Sequence, residues 1–149
     1  MEIRKIETDK KEYLSLLLLA DEQEEMIDRY LERGDMYVLD DGGVRSECVV
    51  TDEGNGILEL KNLAVRPDSK GKGYGRKIIR FVADTYRNRF CILQVGTGDS
   101  PATLTFYEKC GFRRSHVVTN FFTEHYDHPI YECGKQLVDM VYLKMELDR

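Results

Sequence analysis

The sequence predicts an α/β (α+β) fold: a mixed, mostly antiparallel central sheet of about seven strands flanked by about four helices. Three observations predict it. Helical spacing near the N-terminus gives way to alternation and tight-turn signals from Asp35; a glycine loop at Gly71, Gly73 and Gly75 joins an apolar run to an amphipathic helix; and short apolar runs then alternate with one more helix. The order is β-α-α-β-β-β-α-β-α-β-β. A chain of 149 residues, 42% hydrophobic, buries one core of ordinary size, so one domain over residues 1–149 is expected.

Residues 2–6 alternate weakly and read as a strand, after which Thr8 or Asp9 can cap a helix faced by Tyr13, Leu14, Leu17 and Leu18. Asp21, with Glu24 three residues later, repeats the capping pattern ahead of Met26, Ile27, Tyr30 and Leu31, and Gly34 ends that helix. Residues 36–39, 44–51 and 57–65 form an antiparallel meander joined by Asp41-Gly42-Gly43 and by a turn at residues 53–56, and Pro67 stops it. Past the glycine loop, Ile78, Phe81, Val82 and Tyr86 mark the buried face of a helix. Residues 91–95 make a strand parallel to 57–65 through a right-handed crossover. Ser100 caps a further helix with Pro101 at its first position, and Gly111 ends it before a strand from Phe112. Residues 120–135 lack a period but are rich in aromatic and ionisable groups, which suits a functional loop, and residues 137–147 alternate as a last strand.

The net charge of −5 argues against nucleic acid and anionic membranes as partners and is compatible with a cationic acceptor. The longest apolar run, Leu16 to Ala20, is far below the roughly 20 residues of a membrane span, so a cytoplasmic protein is expected. Four scattered cysteines without a C-x-x-C pair read as free thiols, and His125, His128 and Cys133 fit no zinc spacing, so no metal is expected.

The glycine loop carries the chemistry. It opens a helix without Cβ atoms in the way, so unpaired amides and the positive helix end can meet a phosphate. A Walker loop would need Gly-Lys-Ser/Thr before the helix, and the helix here opens Gly73-Tyr74-Gly75-Arg76. A dinucleotide fingerprint needs an acidic residue at the end of the next strand, which ends Gln94-Val95.

Lys70-Gly71-Lys72-Gly73-Tyr74-Gly75 resembles the acetyl-CoA loop Arg/Gln-x-x-Gly-x-Gly/Ala of the GCN5-related N-acetyltransferase (GNAT) superfamily. The stretch from Ser100 through Thr103, Phe106, Tyr107, Lys109 and Gly111 to Phe112 resembles the family's second segment. The likeness spans almost the whole chain. Ser100 stands where the family has Asn, Thr103 where it has Ala, and Lys70 where it has Arg or Gln; Ser100 leaves open which group holds the pantetheine side of the cofactor.

The resemblance implies an N-acetyltransferase that moves the acetyl group of acetyl-CoA directly to a primary amine of a small molecule or peptide in a ternary complex. The alternative is a catalytically silent acyl-CoA sensor or interaction module of the same fold, and a homodimer would use the last strand as its seam. Lys70, Gly71, Lys72, Gly73, Tyr74, Gly75 and Arg76 would hold the pyrophosphate, the lysines alternatively being a solvated helix edge. The backbone of Leu63, Ala64 and Val65 would pair with the pantetheine arm, an amide near Leu63 or Ala64 would hold the oxyanion, and Ser100, Thr103, Tyr107 and Lys109 complete the cofactor side. An amine of pKa near 10.4 needs a base, and Glu59 is the acid on the fourth strand, its other reading being a surface residue paired with Lys61. Tyr107 is the hydrogen-bond donor to the departing sulfur or a core residue. His125, Tyr126, Tyr131 and Glu132 would bind the acceptor, since aromatic faces and carboxylates suit a cation, while Phe121 and Phe122 cover the sheet end.

Overall fold

The computed structural model describes residues 1–147. Glu2–Ile6 (β1) pairs antiparallel with Asp35–Asp40 (β2), and between them lie a 3-10 turn at Lys10–Tyr13 and the helices Leu14–Ala20 (α1) and Glu24–Asp28 (α2). Leu17, Ile27 and Leu31 bury against Met36, Val38 and Val49, which makes one core on this face of the sheet. The expected caps are not formed. Asp9 sits at φ 54 with no side-chain cap bond, and Gln23 rather than Asp21 stands at the start of α2. Asp21 is taken instead by the hydroxyls of Tyr30 (3.1 Å) and Tyr126 (2.8 Å). The carbonyls that end the second helical segment are met by a buried lysine: Lys10 Nζ donates to Leu31 O at 2.9 Å and Gly34 O at 2.7 Å.

Val44–Asp52 (β3) and Ile57–Val65 (β4) complete the meander, with Asp41 N donating to Gly43 O in the first turn. The β3–β4 register steps from Val49 opposite Asn62 to Val50 opposite Leu60, so Lys61 is the extra residue of a β-bulge. The bulge inverts the alternation of β4. Leu58 and Leu60 face one side, Asn62 reaches the other, where it bonds Leu17 O, and Leu63 and Val65 return to the first.

Tyr74–Tyr86 (α3) crosses over to Ile92–Gly98 (β5), parallel to β4 as expected, and packs Ile78, Ile79, Val82 and Tyr86 on the second core. Tyr86 anchors it through bonds to Asp35 (2.6 Å) and Tyr37 (2.8 Å). Pro101–Lys109 (α4) and Arg113–Val118 (β6) follow. The aperiodic stretch contains Phe121–His125 (α5) and a two-stranded ribbon, Tyr131–Glu132 (β7) with Lys135–Gln136 (β8), before Met140–Glu146 (β9). The main sheet has seven strands in the order β1-β2-β3-β4-β5-β9-β6. The last strand therefore lies inside the sheet, paired on both edges, and is no seam for a partner; the sheet's edges are β1 and β6. No helix among the described residues is long and apolar enough to cross a membrane.

Replacing Lys10 by Met keeps the apolar stem and removes the ammonium from two buried carbonyls. Urea denaturation should show a loss of about 1.5–3 kcal/mol, the range for hydrogen bonds to charged groups.

Candidate functional site

β4 and β5 pair only from Ile57–Ile92 to Leu60–Val95 and then part. Beyond that point β5 stays with β9 (Gly96–Tyr142, Thr97–Val141, Gly98–Met140) and β4 stays with β3 (Cys48–Leu63, Glu47–Ala64, Ser46–Val65). Gly96 and Gly98 hold β5 to that side: an added Cβ would lie 2.6 Å from Met140 Sδ or from Leu137 Cδ1, so these side chains pack directly on its backbone. The direction of the peptide groups along β4 follows from one bond, Arg66 N to Arg45 O at 2.8 Å. Since an antiparallel ladder alternates, Ala64 also turns its peptide groups toward β3, and Leu63 and Val65 turn theirs into the gap. This corrects the expectation for Ala64, whose backbone is committed to Glu47.

The glycine loop stands at the wide end of the gap. Gly71 and Gly73 have φ of 79° and 83°, with open space where a Cβ would be, and Gly75 is close-packed, its Cβ position 3.2 Å from Phe106 and 3.3 Å from Val65. Side chains from the meander fix the loop: Tyr74 Oη donates to Asp41 at 2.7 Å, Ser46 Oγ to Tyr74 O at 3.4 Å, and Arg45 to Ser69 Oγ at 3.4 Å. Tyr74 thus spends its hydroxyl on Asp41 and offers the site only its amide. No amide from residue 70 to 73 donates to a backbone carbonyl among the described residues. Lys70 and Lys72 are exposed, and Arg76 donates to Lys109 O at 3.1 Å.

Around the gap the predicted residues divide. Ser100 is fully buried, and its hydroxyl, expected to cap α4, makes no cap bond and has no partner. Thr103 donates to Glu132 at 2.8 Å, which joins the ribbon to α4. Tyr107 is 7% exposed, and burial raises its hydroxyl well above the ordinary tyrosine value, with smaller contributions from Cys110, Glu132 and Glu47. Glu59 is buried, ion-paired with Lys61 at 2.9 Å and bonded by Gln94 Nε2 at 2.7 Å. The pairing with Lys61 anticipated for a surface residue is present, but on a buried carboxylate. Burial, with Glu59 close by, pushes the Tyr142 hydroxyl up to about 12, and His116 stacks on that ring at 4.7 Å. Glu59 and Leu63 are opposite Thr51 and Cys48, three residues apart on β3, so the bulge leaves them roughly 10 Å apart at the rise of an extended strand.

Among the expected acceptor residues, Tyr126 reaches Asp21 and Glu132 reaches Thr103, whereas Tyr131 is 58% exposed and His125 lies on the outside of α5 against Phe121. Phe122 covers the sheet end with Ile130 and Leu137, as expected. Sequence reasoning missed Glu47 and Asn62, polar residues with unpartnered buried oxygens beside the gap. The signal was available for Glu47, a charge in the middle of an apolar central strand.

Residues 32–114 match the family model described as an acetyltransferase (GNAT) domain. The chain is 34% identical over 151 residues to an uncharacterized N-acetyltransferase of Bacillus subtilis (strain 168), covering 95% of this chain and 93% of that one. It is similar to the structure of an IAA acetyltransferase from Bacillus cereus ATCC 14579, with 38% identity, a TM-score of 0.90 and coverage of 98% and 99%. A GNAT family acetyltransferase from Elizabethkingia anophelis, solved with acetyl-CoA bound, superposes with a TM-score of 0.92 at 33% identity, covering 98% of this chain and 97% of that one.

Burial also raises the Glu47 carboxyl well above the ordinary glutamate value. The folded state then holds a proton that the unfolded state releases above about pH 4.3, so the group subtracts stability as pH rises from there towards its folded pKa. Replacing Glu47 by Gln removes this dependence. Urea denaturation at pH 4 and pH 7.5 should show the variant gaining on the parent at the higher pH.

Proposed function

The chain belongs to the GNAT acetyltransferase family, and on that premise we propose that it transfers the acetyl group of acetyl-CoA to a primary amine of a small molecule or peptide while both are bound. The parted edge of β4 supports this reading most directly. It exposes an unused row of peptide groups next to a glycine loop with free amides, and a hydroxyl at Ser100 waits unpartnered across the gap.

The bound thioester supplies an activated acetyl carbon. The amides of residues 71–76, the N-terminal charge of α3 and the side chains of Lys70, Lys72 and Arg76 bind the pyrophosphate. Leu63 and Val65 bind the pantetheine arm as a neighbouring strand would, through backbone, so their side chains matter little. The Leu63 amide faces the gap where negative charge develops on the carbonyl oxygen and stabilises it. Ser100 replaces the family asparagine as the polar group on the β5 lip, and Thr103, held by Glu132, and Lys109 complete that side.

Tyr107, with its raised proton affinity, keeps its proton and orients the sulfur by donating a hydrogen bond. Glu59 lies too far along β4 to touch an amine at Leu63 and draws the proton through water in the polar row it shares with Gln94 and Tyr142. The acceptor enters between the α1–α2 connection and the C-terminal segment, which Tyr126 ties to Asp21; His125 and Tyr131 form at most its outer rim.

Acetyl-CoA at about 100 times its Kd should stabilise the protein by about 2.7 kcal/mol in thermal denaturation, and the absence of any shift would remove the cofactor assignment. CoA-thiol release against a panel of amines should then separate an enzyme from a silent binder. In an active enzyme, Glu59→Gln should lower kcat/KM by about 10²-fold or more and flatten the acidic limb of the pH profile. An unchanged profile would remove Glu59 from the role of base.

A further inference from the structure

Four buried side-chain atoms among the described residues have no hydrogen-bond partner: Oε1 and Oε2 of Glu47, Oδ1 of Asn62 and Oγ of Ser100. Asn62 is on β4 beyond its last pair with β5, Glu47 is opposite Ala64 on β3, and Ser100 follows the end of β5. A serine hydroxyl can give or take a hydrogen bond, but with Glu47 ionised the other three oxygens have only the Ala64 amide, which acts on the carboxyl too weakly to offset its burial. The orientation of the Asn62 amide is fixed by its nitrogen, which donates to Leu17 O at 3.1 Å and to Tyr30 Oη at 3.0 Å; a carbonyl can only accept, so Oδ1 is the atom left over.

Glu47 and Asn62 share one face of the sheet. Val49 belongs to the core beneath α1, and Glu47, two residues earlier on β3, shares its face. Asn62 is opposite Val49 and Glu47 is opposite Ala64, so the two polar residues are diagonal neighbours on one face of the sheet. Ala64 interposes only a methyl group between Glu47 and the gap, and the residues on either side of it, Leu63 and Val65, direct their peptide groups into that gap. Glu47 adds to the raised proton affinity of both Tyr30 and Tyr107, and no lysine, arginine or histidine among the described residues pairs with it.

Leaving buried acceptors without donors costs about 1–3 kcal/mol each and more for a charged group, so they are normally paired. Phosphates and carbonyl oxygens bring more acceptors. An ammonium brings three donors and the opposite charge. We infer that Glu47 and Asn62 Oδ1 form the receptor for the reacting, cationic nitrogen of the acceptor, which places the acceptors among amines protonated on arrival and excludes hydroxyl acceptors. The inference rests on the N-acetyltransfer reading of this site and names the group that selects its substrate class. An arriving cation favours the ionised carboxyl and offsets the burial that otherwise holds the proton on it.

The test is calorimetric titration of the CoA-saturated protein with phenethylamine, 1,4-diaminobutane and alaninamide, each beside its hydroxyl counterpart: 2-phenylethanol, 1,4-butanediol and lactamide. At least one amine should bind tenfold or more tighter than its counterpart, and Glu47→Gln should abolish that ratio while retaining the thermal shift with acetyl-CoA. Equal binding of amines and hydroxyl compounds, or a ratio that survives Glu47→Gln, overturns the inference. So does loss of the acetyl-CoA shift in both Glu47→Gln and Glu47→Met, which would make Glu47 a scaffold group. Turnover of the same amines separates the two claims: a Glu47-dependent ratio without acetylated product refutes the transfer reaction alone, and product with an unchanged ratio in Glu47→Gln refutes the receptor alone.

Discussion

The parting of β4 from β5 is the constraint on which the rest of the site depends. Two neighbouring parallel strands would ordinarily exhaust each other's backbone hydrogen bonds. Here each is held away beyond Leu60 and Val95. The bulge at Lys61 bends β4 and keeps its far half on β3, while Gly96 and Gly98 let Met140, Tyr142 and Leu137 press on β5 and keep it on β9. The result is a strand edge in the middle of a sheet, where a ligand with strand-like amides can take the place of the missing neighbour.

The same constraint explains where the polar groups collect. A ladder that stops early leaves Leu63 and Val65 unpaired, and Ser100, Glu47 and Asn62 come to rest around that opening with oxygens that the protein itself does not satisfy. The glycine loop is held at its wide end by Asp41, Ser46 and Arg45, all from the meander, so the strands that create the opening also position the start of α3. On the opposite face, Asp21 gathers Tyr30 and Tyr126 and ties the α1–α2 connection to the segment that follows α5.

Local pattern made much of this legible. The glycine loop, the face of α3, the meander and Pro101 at the start of α4 each follow from spacing and turn chemistry, and the structure has them within a few residues of the expected bounds. What escaped depends on long-range pairing. The last strand reads the same whether it lies at an edge or between β5 and β6, and only the fold decides. Asp21, Asp9 and Ser100 have the composition of helix caps, but tertiary partners or burial override that use. Glu47 was visible only as a single charge in an apolar strand, and which groups would surround it depends on the pairing of β3 with β4. Ala64 was misassigned because direction along β4 is fixed by its register with β3, which the sequence does not display.

Amide hydrogen exchange along β4, with and without acetyl-CoA, tests the central claim most directly. The parted edge predicts that Leu63 and Val65 exchange quickly in the free protein and slow markedly when acetyl-CoA is added, while Ala64, already bonded to β3, is slow in both. Unchanged exchange at Leu63 and Val65 under saturating acetyl-CoA would contradict the claim that this edge holds the cofactor.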